Sequence, residues 1–344
     1  MAVPPAAMAA ARSLLARQPL SPLPFQVAAR DAAARGDIVT ATRLFEQELL
    51  RNPRDVGVRL WLADRYLRSA RFSEAVEQLD AAMRIRPKMR RQLVAVLVPL
   101  IGAPTGREAV AAALVRGAAW QGDFLDEAAR NDAVAPAFYE LLFGLGGASG
   151  FRLSDAQLSR IVTMALSRGD YRSAWTLYSR FAPRSNTDPA NRVFDGNFRG
   201  AAGPPPFNWQ FFSTPSGFAR VEPTDMQGRL TVHTFGSEPA TLAAQTMLLP
   251  PGLYQLSSAG VPDDGGDASS LSWRLICDRT RRELGRFPVA GSAAAGAPGG
   301  IAVMVPALCP VATLRLIYAP PLRPVLENAT LTSVALELVE ALAP

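Results

Sequence analysis

The sequence has one histidine, His233, and one lysine, Lys88, among 344 residues. A single histidine excludes histidine-rich metal centres and leaves any histidine acid–base mechanism resting on one side chain. Two cysteines, Cys277 and Cys309, allow at most one intramolecular disulfide. No apolar run approaches the roughly 18 residues of a membrane-spanning helix. Charged residues reach only 19%, against 49% hydrophobic and a mean hydropathy of +0.08. That balance excludes a disordered or fibrous chain. Arginine supplies nearly all the positive charge, and the chain carries a net charge of +6. Before residue 190 there are 25 basic and 18 acidic residues, +7, and after it 11 and 12, −1. The chain thus has a basic half and a nearly neutral one. Its densest basic run, Arg84 to Arg91, sits at a helix end, where the dipole favours cations, and reads as a solvated terminus rather than a nucleic-acid site.

In the first half, prolines at 19, 53 and 87 stand 34 residues apart. The same shift superposes Ala29 on Ala63, Gly36 on Ala70, Ala41 on Ala75 and Phe45 on Leu79. Small residues at fixed points let two helices cross closely, large apolar ones fill the gaps, and proline stops the second helix. This pattern resembles the tetratricopeptide repeat, whose period is about 34 residues. The fullest unit is 56–89, with Leu62, Ala63, Tyr66, Phe72, Ala75, Leu79, Ala82 and Pro87 at motif positions. Arg59 replaces the usual tryptophan, and Ala70 the mid-turn glycine. Unit 22–55 departs at Glu48, where a small residue is usual. Ala7, Ala11, Leu14 and Pro19 fit the second helix of a preceding unit, so the sequence opens in mid-repeat. Its first arginines follow an apolar stretch, the reverse of a secretory signal. Residues 90–190 stay helical with a blurred period. Ser154 and Gln157 make a capping box, and Gly169, Tyr171, Ala174 and Tyr178 restore the motif in a degenerate repeat, 155–186. GLGGASG at 144–150 follows a helix, which makes it a turn and not a dinucleotide loop.

After residue 186 the pattern changes to short alternating runs between turn clusters. Nine strands are expected, at RVFDGNF (192–198), FNWQFF, RLTVHTF, TLAAQTMLL, GLYQLSS, SLSWRLIC, IAVMVP, TLRLIY and NATLTSVALEL. Residues 290–300 read as a loop. Many strands without helices between them argue for an antiparallel β-sandwich of the jelly-roll kind. Asp195, Gly196, Phe198, Pro204–Pro206 and Trp209, followed by Pro251, Gly252, Tyr254 and Leu256, resemble the landmark order of bacterial jelly-roll, galactose-binding-like carbohydrate-binding modules. Members of that family often hold a structural calcium through an acidic residue in the last strand; this chain departs from them with Thr332 and Ser333 near that place, and no metal is expected. The expected architecture is therefore a helical tetratricopeptide-like solenoid over 1–186 and a carbohydrate-binding-module-like sandwich over 187–344.

Sugar recognition in such modules uses aromatic faces with polar neighbours. The candidates are Trp209, Tyr254, Trp273 and Tyr318, with Arg274 and Asp278 as hydroxyl partners, against the alternative that each ring is core. Cys277 and Cys309 end two strands and are either a disulfide, favouring the periplasm or envelope, or two buried thiols, favouring the cytoplasm. No carboxylate pair or triad is singled out, and no cofactor or metal site. The functional expectation is a non-enzymatic adaptor, with a protein partner in the repeat groove and polysaccharide on the sandwich, and with neither nucleic acid nor a membrane span. It resembles proteins of bacterial envelope and exopolysaccharide assembly. A purely structural protein scaffold, and third a glycan hydrolase or lyase, are the alternatives.

Overall fold

A computed structural model describes residues 3–182, 190–222, 228–262, 270–289, 299–321 and 326–341. The chain forms two compact units, Met1–Arg152 and Leu153–Pro344.

The first unit is helical: α1 (Pro5–Arg17), α2 (Leu23–Ala34), α3 (Ile38–Arg51), α4 (Val56–Arg68), α5 (Phe72–Ile85), α6 (Arg90–Leu97), α7 (Pro104–Val115), α8 (Gln121–Arg130) and α9 (Ala135–Leu145). Pro19, Pro53 and Pro87 each stand two residues beyond the ends of α1, α3 and α5. The helices pair as hairpins, α2 with α3 and α4 with α5, as the 34-residue period requires. The small residues Ala29, Ala41, Ala63, Ala75 and Ala82 are fully buried, and Phe45, Leu62, Tyr66 and Leu79 fill the spaces around them. Phe72, at the start of α5, is only half-buried. The hairpin turn needs one residue in the left-handed region: Gly36 has φ 84° and Ala70, in the equivalent place, φ 55°. Alanine there bears a steric cost that glycine avoids. Asp37 and Asp55 cap α3 and α4 by accepting from the amides of Thr40 and Val58.

Ala75 packs in one cluster with Ala29, Phe45, Val58, Leu62 and Tyr66. Ala75→Trp is expected to destabilise this unit by about 1–3 kcal/mol, since no rotamer fits the ring without moving a helix. Thermal unfolding checks this, and an unchanged midpoint would remove the assigned repeat register.

The second unit begins with a helix hairpin, α10 (Asp155–Ser167) and α11 (Tyr171–Phe181), with the Ser154–Gln157 capping box formed and Gly169 at φ 81° in the turn. Eleven strands follow among the described residues: β1 (Gln210–Phe211), β2 (Ser213–Thr214), β3 (Gly217–Glu222), β4 (Arg229–Thr234), β5 (Ala240–Leu248), β6 (Gly252–Pro262), β7 (Leu271–Cys277), β8 (Glu283–Pro288), β9 (Gly299–Val305), β10 (Val311–Tyr318) and β11 (Glu327–Ala341). They form a five-stranded sheet, β1-β5-β10-β7-β8, and a six-stranded one, β2-β3-β4-β11-β6-β9, with every pair antiparallel. One core joins both inner faces, including Leu242, Leu275, Leu314 and Leu316 from the first and Val232, Leu256, Leu331 and Leu336 from the second. The fold is helices, then a β-sandwich.

Besides the strands β2, β3 and β8, which the sequence reading does not expect, two segments differ from it. The helical pair at 155–186, expected with the preceding repeats, groups with the sheets, because Phe207 wedges its ring against Trp175 (5.2 Å) and Tyr178 (5.1 Å) of α11. Residues 192–198 are a turn segment and not a strand. Asp195 and Phe198 take positive φ, and the Asp195 carboxylate accepts the amides of Arg199, Gly200 and Ala201. An aspartate that satisfies three amides itself replaces the ladder a strand would supply. The expected loop at 290–300 lies mostly outside the described residues, with Gly299 and Gly300 opening β9.

Candidate functional site

The four candidate rings lie inside the sandwich. Tyr254, Trp273 and Tyr318 are 0% exposed and Trp209 7%. Each polar tip is bonded internally: Trp209 Nε1 donates to Asp195 O (3.2 Å), Trp273 Nε1 to Ser258 Oγ (3.1 Å), Tyr254 Oη to Pro250 O (2.8 Å) and Tyr318 Oη to Gly236 O (2.9 Å). A ring enclosed on both sides offers no sugar a face. Their assignment as stacking platforms is therefore corrected, and the physical cause is inward register: Trp273 pairs with Leu316, whose side chain also enters the core.

Cys277 and Cys309 form a disulfide, with Cα atoms 5.6 Å apart. It fastens the end of β7 to the segment leading into β10. His233 is engaged by Asn328 Oδ1 at 2.7 Å and by the Phe218 ring at 4.8 Å. The hydroxyl of Thr332 donates to Ala259 O, and no group of three or more histidine, cysteine or acidic side chains stands together among the described residues. The donor set near 332 does not fit a calcium site. Asp263, Asp264 and Asp267 lie outside the described residues.

Of the ligand candidates, Arg274 faces outward and Asp278 reaches the same face through Thr313, and the register places Arg274 in company. Across the outer face of the five-stranded sheet, Gln210 pairs with Ala244, Ala244 with Arg315, Arg315 with Arg274, and Arg274 with Arg286. Three arginines thus stand directly opposite one another on adjacent strands. The neighbouring row carries Thr246 and Thr313, whose hydroxyls lie 3.1 Å apart, and Thr313 donates to both oxygens of Asp278 at 2.9 Å. Burial raises the Asp278 carboxyl, and the Thr313 hydrogen bond and the charges of Arg315 and Arg281 oppose this. A cleft of about 280 Å³ opens on this face, lined by Pro206, Gln210, Phe212, Thr241, Thr246, Thr313 and Arg315 among others. At the Leu248 end the sheet borders a second, shallower cleft with the start of α11, where Trp175 is 48% exposed and rests on Tyr178 at 6.1 Å. Sequence reasoning missed both features. A signal for the first was available: Arg274, Arg279, Arg281, Arg282 and Arg286 are five of the eleven basic residues after position 190.

In the helical unit a cleft of about 420 Å³ separates α3 from the end of α4. Arg43, Arg65 and Arg71 line it with Glu46 and Tyr66, and the Tyr66 hydroxyl donates to Glu46 at 2.7 Å. Arg71 covers the Tyr66 ring at 4.5 Å and pairs with Glu74 at 2.7 Å. Burial, followed by the Glu46 bond, holds the Tyr66 hydroxyl far above its ordinary titration range. On the remaining surface of α2 and α4, Leu23, Arg30, Asp64 and Arg68 are exposed, with Arg68 and Asp64 paired at 2.8 Å.

No curated protein matches the sequence. Among solved structures, the enzymatically active domain of tailspike protein 4 from bacteriophage CBA120 is similar at 13% identity, over 44% of this chain and 22% of its own, with a TM-score of 0.31. This chain therefore spans about a fifth of that structure's length. YrrB, described as a TPR protein with an unusual peptide-binding site, is similar at 14% identity over 50% of this chain and 90% of its own, TM-score 0.24. A MamA fragment from Desulfovibrio magneticus RS-1 is similar at 16% over 45% and 90%, TM-score 0.22. Residues 32–97, from the end of α2 through α6, match the tetratricopeptide repeat family, which is the repeat that the 34-residue spacing indicates.

Proposed function

We propose that this protein is a non-enzymatic adaptor whose helical repeats hold a protein partner while its sandwich holds a glycan, in the periplasm or cell envelope. The observation that carries the reading is the tetratricopeptide match over 32–97, with buried alanines at the helix crossings and polar and apolar side chains left exposed on α2 and α4. Such repeats act as protein-interaction surfaces. Glycan binding draws support from the outer face of the five-stranded sheet, where hydroxyl, amide and guanidinium groups border a cleft. Trp175 adds a half-exposed flat ring. The disulfide supports an oxidising compartment, which a count of zero free thiols in protein taken from its native source under non-reducing conditions would test.

Burial of all four expected rings favours a second reading, a protein scaffold without a sugar site. The deciding experiment is affinity electrophoresis of the full chain in gels containing bacterial polysaccharides, with release of reducing ends assayed in parallel. Retarded migration without release is expected. Migration unchanged on every polysaccharide would leave the scaffold reading, and released reducing ends would establish an enzyme.

A further inference from the structure

We infer that the arginine row across β10, β7 and β8 is an anion-binding strip that takes a polysaccharide bearing carboxylate or sulfate groups. This rests on the glycan reading above and narrows it to acidic chains.

Arg315, Arg274 and Arg286 occupy consecutive cross-strand positions. Side chains directly opposite in an antiparallel pair have Cβ atoms about 4.5–5.5 Å apart, and like charges there destabilise the sheet. The local acids neutralise the row only in part. Glu283 reaches Arg274 at 3.5 Å, and among the described residues Arg286 has no ion pair and Arg315 only the more distant charge of Asp278. Three cross-strand arginines, of which only Arg274 has an ion pair among the described residues, are relieved of their remaining repulsion by an anion laid across them, to which each guanidinium can donate bidentately. Strands about 4.8 Å apart make the arginine portion roughly 10 Å long, and the row continues to Gln210 at the far edge.

The neighbours select the class of anion. Gln210, exposed at the end of the row, both donates and accepts, as sugar hydroxyls require, while the Thr246 and Thr313 hydroxyls are buried and already bonded to one another and to Asp278. Nucleic acid strands would call for aromatic platforms along the cationic track, and the row itself has none. An acidic peptide more commonly adds to a sheet edge or fills an apolar groove, whereas this is a sheet face. The sandwich half has a net charge of −1. That total matters little, because charges more than about 8 Å away are largely screened at physiological salt. The disulfide at Cys277 anchors β7 where the arginine-rich turn to β8 begins.

The test is affinity electrophoresis of the full, oxidised chain with polygalacturonate, neutral dextran and poly-L-glutamate as probes, at low and at physiological salt. Polygalacturonate should retard the wild type strongly, less so at higher salt, and dextran and poly-L-glutamate much less. Changing all three residues (Arg315→Gln, Arg274→Gln, Arg286→Gln) should weaken polygalacturonate binding at least 100-fold while leaving the melting temperature equal or higher, since repulsion is removed. Arg286 is exposed, so Arg286→Gln alone, expected to cost about tenfold, tests the row even if the triple variant fails to fold. Equal retardation of Arg286→Gln and wild type by polygalacturonate would overturn the inference. So would wild-type retardation by dextran alone, with the glycan reading intact, or retardation by poly-L-glutamate as strong as by polygalacturonate. No retardation by any polysaccharide overturns both.

Discussion

Trp273→Ala should cost the sandwich about 3–5 kcal/mol, the range for removing a large aromatic from a core. The ring is fully buried, tilted against Trp209 with centroids 5.6 Å apart, and its N–H is given to Ser258 Oγ. Truncation would leave a cavity between the sheets and strip Ser258 of a donor, so two losses fall on one substitution. The denaturant midpoint of the variant should fall sharply, with unfolding of the strand-rich unit ahead of the helical one. This separates a core ring from a sugar platform. A platform would lose glycan retention with stability intact, so an unchanged midpoint with lost retention would refute the placement of Trp273 in the core.

The same residue shows what the sequence made legible. SLSWRLIC is legible as the strand β7, but Arg274 is expected beside the Trp273 ring in one site, whereas neighbours on a strand face opposite ways, and nothing local says which face is inner. That depends on pairing with β10, some forty residues later, and the arginine row depends on the same pairing. Local chemistry was readable where it decided the structure. The 34-residue period, the capping box and the mid-turn positions Gly36, Ala70 and Gly169 follow from backbone conformation and small-residue crossings. Where two local solutions compete, the sequence misled. Residues 192–198 alternate like a strand, yet Asp195 binds three amides and turns the chain. The strands β3 and β8 passed unnoticed because GFARVE and ELGRFP are short, polar and interrupted by glycine or proline. The grouping of α10 and α11 with the sheets depends on Phe207, about thirty residues beyond Trp175 in a segment with no repeat signal.

Glu48 marks a departure from the repeat pattern with a measurable consequence. It occupies the place that Ala82 fills in the next unit, and it is 1% exposed. Its Oε1 accepts from Gln26 Nε2 at 3.3 Å, the same amide reaches Asp55 Oδ2 at 3.3 Å, and Oε2 has no partner among the described residues. Desolvation first, then the charge and hydrogen bond of Asp55, push the Glu48 carboxyl from 4.5 up to about 7, with Arg30 and Gln26 opposing. The sign follows from proton binding. Between pH 4.5 and 7 the unfolded chain releases this proton while the folded one keeps it, so stability falls as pH rises through that window and levels off above it. The loss is on the order of 3 kcal/mol by the tenfold-per-unit conversion. Glu48→Gln keeps the shape without the charge. It should leave stability at pH 4.5 nearly unchanged and raise it at pH 8 by much of that amount. Carboxyls held low, such as Asp37 through its hydrogen bond to Thr40, act in the opposite direction. They are common to both proteins and cancel in the difference. Urea midpoints of the helical transition at several pH values give the comparison. Parallel curves for wild type and Glu48→Gln would show that Glu48 is already ionised when folded and that the seam between α3 and α4 tolerates the buried charge.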